Sequence, residues 1–175
     1  MDLRDVVADN MSGFEKLVAK IPGYKGYKQK EMRRDADKLL RSHIYGVLTA
    51  QRRRIEDIQG DLGVAQIEYV EKLGRARRRL QTLADTVNTA AYGYSGLFDA
   101  VKGGEEELDA LYTVDDSLLA ESDAVVASID SLQAAVDNEE GLSGAIRDLT
   151  GAVTQLQELY NRRKDVIIGR GPDRV

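Results

Sequence analysis

Apolar residues recur along most of this chain at alternating spacings of three and four, the period of one helix face. Leu3, Val7, Met11, Phe14, Val18 and Ile21 follow it first and predict an amphipathic helix over residues 2–21. Pro22 disfavours helix at Ile21, and Gly23 and Gly26 supply turn geometry, so residues 22–27 read as a linker. Ile44, Leu48, Gln51, Ile55, Ile58 and Leu62 continue the period, and so do Tyr69, Leu73, Ala76, Leu80, Leu83, Val87, Ala90 and Tyr94. In the second half one seam is Leu108, Leu111, Leu118, Val125, Ile129, Leu132 and Val136. Ile146, Leu149, Val153, Leu156, Tyr160 and Ile167 make another. Four long helices are predicted, over 28–59, 62–92, 104–138 and 143–168, each about 45 Å long at 1.5 Å per residue.

The breaks between them carry glycine. In QGDLG, Gly60 suits a left-handed helix stop and Asp61 an N-cap for the next helix. In DNEEGLSG, Gly141 and Gly144 repeat the arrangement. Read as turns, the breaks give an all-α fold: an antiparallel up-down four-helix bundle, coiled-coil-like, over residues 28–168, preceded by the N-terminal amphipathic helix. Read as kinks, they would give one long two-helix hairpin. Residues 169–175, GRGPDRV, read as a flexible tail.

One stretch breaks the density of charge. No residue between Asp85 and Asp99 is charged, and Tyr92, Tyr94 and Phe98 fall in that gap. The expected role is a corner in which these rings close one end of the core. A binding pocket and a membrane insert are the alternatives. Glu105, Glu106 and Glu107 then fall in the first turn of the following helix, where its dipole favours carboxylates.

Composition narrows the chemistry. At 175 residues the chain is long enough to bury a core without staples, and it contains no cysteine, so disulfides, thiol nucleophiles and thiolate metal sites are excluded. A single histidine, His43, excludes multi-histidine metal centres. It has Leu40 three positions before it, so the Glu-x-x-His pair of di-iron bundles is missing too. No phosphate-binding loop, dinucleotide fingerprint or nucleophile elbow occurs. Asp115–Asp116 and Glu139–Glu140 are neighbours in sequence, point to different helix faces and are expected to be solvated, the second pair in a turn. No catalytic residue, cofactor or metal is expected. The start, MDLRDVVADN, lacks the basic-then-apolar order of a secretory signal, and no run reaches the ~20 apolar residues of a membrane span, so a cytoplasmic protein is expected.

Charge is the stronger lead. The net charge is −5, yet residues 16–54 hold 12 Lys and Arg against three acids, and residues 103–161 hold one Arg against 14 acids. Basic and acidic helices lying side by side are the simplest explanation; separate partner surfaces are the other. Arg52, Arg53 and Arg54 form one basic cluster, and Arg75, Arg77, Arg78 and Arg79 another. In YKGYKQK, Lys25, Tyr27 and Lys28 interleave lysine with tyrosine as single-strand nucleic-acid binders do. Glu56, Asp57, Glu68 and Glu71 dilute these clusters, which makes nucleic acid an unlikely partner. The N-terminal helix has a rival use on an anionic membrane, opposed by Asp2, Asp5 and Asp9.

Two stretches, KIPGYKGYKQKEMRRDADKLLR (20–41) and AAYGYSGLFDAVKGGEEELDALY (90–112), together resemble a group of uncharacterised bacterial all-helical proteins. The resemblance implies a shared fold and no activity. In layout alone, a short amphipathic helix before long helices is similar to phage-shock-protein-A-like membrane scaffolds; no motif matches, and the breaks at Gly60 and Gly141 depart from that hairpin. The expectation is a non-enzymatic helical interaction or scaffold protein. Its partner would be a protein, with a homo-oligomer possible, and a membrane-surface scaffold is the alternative. The candidate interaction residues are Phe14, Lys25, Tyr27, Lys28, Arg52, Arg53, Arg54, Tyr92, Tyr94 and Phe98. No small-molecule substrate is evident.

Overall fold

The computed structural model describes residues 12–90 and 105–168. Of these, 88% are helical and none is in a strand, so the all-helical class holds. Among the described residues five α-helices follow in order: α1 (Gly13–Lys20), α2 (Arg33–Asp61), α3 (Ile67–Thr89), α4 (Glu105–Asp137) and α5 (Leu142–Ile167). Short 3-10 turns at Lys30–Met32 and Val64–Gln66 precede α2 and α3. The expected corner residues Tyr92, Tyr94 and Phe98, the expected helix positions Leu3, Val7 and Met11, and the tail 169–175 lie outside the described residues.

Helix α1 begins where the sequence permits a reciprocal cap. The Ser12 hydroxyl accepts from Glu15 N–H at 3.4 Å, and the Glu15 carboxylate accepts from Ser12 N–H at 2.8 Å. It ends at Ile21, which is extended (φ −115°, ψ 107°) ahead of Pro22, as expected of a pre-proline residue.

Both expected breaks are turns, although the first uses different residues. Gly60 and Asp61 stay helical in α2, so neither the left-handed stop nor the Asp61 N-cap forms. The chain turns instead at Leu62–Gly63, where Gly63 N–H donates to the Gln66 side chain at 3.2 Å. The physical reason is that three residues of 3-10 helix supply the reversal, leaving no positive φ to be filled. The second turn does use the left-handed region: Glu139 has φ 56° and Gly141 φ 73°. Glu140 N–H reaches back to the Ala135 carbonyl at 3.1 Å, which closes the end of α4.

The chain divides into two compact units. The first combines residues 1–43, 90–118 and 159–175; the second combines 44–89 and 119–158. In the second unit the predicted seams are the core: Ile44, Leu48, Ile55 and Ile58 of α2, Leu73, Leu80, Leu83 and Val87 of α3, Val125, Ile129 and Leu132 of α4, and Ile146, Leu149, Val153 and Leu156 of α5 are all buried. Helices α2 and α3 run in opposite directions there, with Glu56 facing Arg77 and Gln59 facing Val70. The first unit buries Leu17, Ile21 and Leu40 with Leu111, Leu118 and Ile167. Unlike the second, it also buries charge.

Candidate functional site

Arg163 belongs to the first unit and is 1% exposed. Its Nε donates to Asp115 at 2.6 Å, and its Nη2 lies 2.8 Å from Asp37 and 3.1 Å from the Tyr27 hydroxyl. That hydroxyl donates to the other Asp115 oxygen at 2.5 Å. Arg41 donates to Asp37 at 2.7 Å, and Arg33 donates to the Tyr27 carbonyl at 2.7 Å. Burial raises the Asp115 carboxyl, with Arg163 opposing that shift, and burial pushes the Tyr27 phenol well above its ordinary range. Burial alone would lower Arg163; the surrounding Asp115, Tyr27 and Asp37 reverse this and hold it firmly charged.

An aromatic cluster lies against this network. Tyr112 stands 5.4 Å from both the Phe14 and Tyr27 rings, and its hydroxyl accepts from Tyr27 N–H at 2.7 Å. Gly26 is needed at the crossing, since it has φ +79° and a Cβ there would sit 2.6 Å from the Phe14 ring and the Tyr112 hydroxyl. Leu17 is fully buried and Lys16 pairs with Asp116 at 3.4 Å, so α1 is docked within its unit.

Three expectations need correction. Asp115 is not solvated: its seam position between Leu111 and Leu118 faces Arg163, and only Asp116 reaches the surface side. Tyr27 is not an exposed contact, and with Tyr24 also buried the YKGYKQK segment offers no aromatic platform for bases. Residues 22–27 are no bare linker either, because these two rings are core. Lys25 and Lys28 are exposed, while Phe14 is 36% exposed at the edge of the aromatic cluster. Arg52 and Arg77 share Glu56, Arg54 meets Asp130 at 2.7 Å, and Arg53 is exposed. The structure therefore brings Phe14 and Tyr27 together in one unit and leaves Arg52–Arg54 in the other.

The charge asymmetry is in part internal, as the simplest reading expects. Helix α4 carries aspartate at every seventh position (109, 116, 123, 130 and 137), a single line along the helix. Asp116 and Asp130 of that line meet Lys16 and Arg54.

The arginines of α3 behave differently. Two adjoining hollows of about 550 and 770 Å³ form an open groove between α3 and α5. Lys72, Arg75, Arg78 and Arg79 line it from α3 and Arg147 from α5, and Glu158 is the one carboxylate among its lining residues. Numbers rise together along both walls, so α3 and α5 run the same way here, with Arg79 3.4 Å from the Thr154 hydroxyl. Arg75 pairs with the exposed Glu71 at 3.1 Å, and Arg147 approaches its neighbour Asp148 only to 3.9 Å. The α3 cluster is visible in the sequence without its α5 wall, because nothing in the pattern of one helix tells which other helix stands beside it. Near the start of α3, Val64 and Ile67 are 90% and 70% exposed.

Among the described residues no three His, Asp or Glu side chains converge on a point that could hold a metal ion, and no helix is long and apolar enough to cross a membrane. No protein-family model, no curated protein and no solved structure matches this chain.

Proposed function

We propose that this chain is a non-enzymatic interaction protein that binds another protein through a charged helical face. The observation that carries the reading is the cation-lined groove of the second unit, where guanidinium groups line an open concavity. Buried arginines need partners within the fold to offset their desolvation, and Arg41 and Arg163 have them. Solvated ones cost little to keep and confer selectivity on whatever docks. The fold proposed to carry this face is a four-helix bundle made of two hairpins, α2 with α3 and α4 with α5. Both internal connections are tight, and the opposed directions of α2 and α3 support it.

The membrane-surface alternative draws less support. It needs the apolar face of the first helix free for lipid, whereas Leu17 is fully buried and Phe14 packs on Tyr112. The test is affinity capture with the intact chain, followed by reconstitution of each captured protein from purified components. Saturable binding to a single protein that weakens with salt is expected. Sedimentation with anionic vesicles at physiological salt, with no protein partner reconstituted, would replace this reading by the membrane one.

A further inference from the structure

We infer that the groove between α3 and α5 seats an acidic amphipathic helix of a partner protein; this deepens the interaction reading and rests on it. Lys72, Arg75 and Arg79 stand at i, i+3 and i+7 and so form one line along α3. Carboxylates at the same spacings on a second helix would meet them in register. The groove runs beside residues 143–158 of α5, about 22 Å at 1.5 Å per residue, which accommodates a helix of about four turns. Its floor is narrow and apolar, made from the edges of Ala76, Ile146 and Val153 and the aliphatic stems of the arginines. At Gly151 an added Cβ would meet nothing within 4 Å, so the groove is open where a partner side chain would enter.

The two walls differ, and the difference specifies the partner. The α3 wall is cationic, while the α5 wall carries Ser143, Thr150 and Thr154 along with Arg147 and Glu158, the threonine hydroxyls donating within α5 and open only as acceptors. A matching helix therefore carries Asp or Glu on one flank, neutral polar residues on the other, and apolar residues between. A phosphate backbone or an anionic bilayer presents uniform negative charge and would meet Glu71, Asp148 and Glu158 as well as the arginines. A helix can place neutral residues opposite those carboxylates. Its apolar stripe also reaches a recessed floor that a flat bilayer does not.

The probe is a fluorescein-labelled helical peptide of four turns, with Leu along one stripe, Glu on one flank and Gln on the other, titrated into the full chain by fluorescence anisotropy. We expect saturable binding, weakened at least about ten-fold when Arg75→Glu and Arg79→Glu are combined and unchanged by Arg53→Glu on α2. Gly151→Leu, which intrudes on the open groove without touching charge, should weaken it comparably, and circular dichroism should show wild-type helicity in every variant. A peptide with Gln on both flanks should bind at least about ten-fold more weakly. No binding of the acidic peptide, or equal binding to Gly151→Leu, overturns the groove assignment. Loss of binding with Arg53→Glu but not with the α3 reversals also overturns it and leaves the interaction reading standing. Displacement of the peptide by oligothymidylate or anionic vesicles at lower concentration than unlabelled peptide overturns both.

Discussion

Arg163 and Arg79 show how differently the two units treat the same side chain. Arg163 is enclosed, with two aspartates and a tyrosine hydroxyl around it. Arg79 is exposed on a groove wall, 3.4 Å from a threonine hydroxyl. In the first unit charge is an element of the core: its geometry is dictated by groups that must stay paired because water cannot reach them. In the second, the core is aliphatic and charge remains on the outside, available to whatever arrives. The first unit buries its arginine among fixed partners, whereas the second keeps its arginines on the surface around an aliphatic core.

The sharpest way to break this contrast is Arg163→Leu. It leaves Asp115 and Asp37 buried without their shared cation, and denaturant melts should show a loss of about 3–5 kcal/mol. Adding Asp115→Asn should restore part of it, since the carboxylate left without a cation is then gone, while Asp37 keeps Arg41.

A second test uses pH. The Tyr24 and Tyr27 phenols are raised above their ordinary 10.0, burial being the main cause for each. A raised folded value means their contribution is fully present below pH 10 and is lost as the pH rises above it, because the unfolded chain releases these protons first. Each tyrosine should cost about 1.4 kcal/mol per pH unit in that window. Tyr24→Phe should flatten the decline, measured by melts at successive alkaline pH values.

The smallest effect belongs to the surface. Arg54→Ala removes the ion pair with Asp130, whose side chains are 36% and 63% exposed, and should change stability by less than about 1 kcal/mol. A loss as large as that of Arg163→Leu would erase the distinction between the units.

Much of the fold was legible in the hydrophobic period. Leu83, Leu132 and Tyr160 are buried where the seams put them, and helices stop at both expected breaks. The buried ion network was not, for a reason the same period makes visible afterwards. Counting back from Ile44 by three and then four reaches Arg41 and Asp37, and Arg163 lies between Tyr160 and Ile167. These are seam positions occupied by charge. A pattern that scores apolar residues treats them as gaps, and the partner that makes burial tolerable is 48 residues away for Asp115. The groove was half legible: its arginines stand out in sequence, but its second wall is set by tertiary packing.

Arg163 follows Tyr27 by 136 residues, and its two aspartates stand between them in the chain. A ribosome making this protein therefore exposes Tyr27, Asp37 and Asp115 long before their common partner exists. Asp37 has Arg41 only four residues on, whereas Asp115 takes its cation from the end of α5, so the network of the first unit is complete only with Arg163. The second unit contains no residue beyond Glu158, so all of it precedes Arg163 in the chain. A chain cut short before Arg163 is therefore expected to leave Asp115 without its cation and to weaken the first unit.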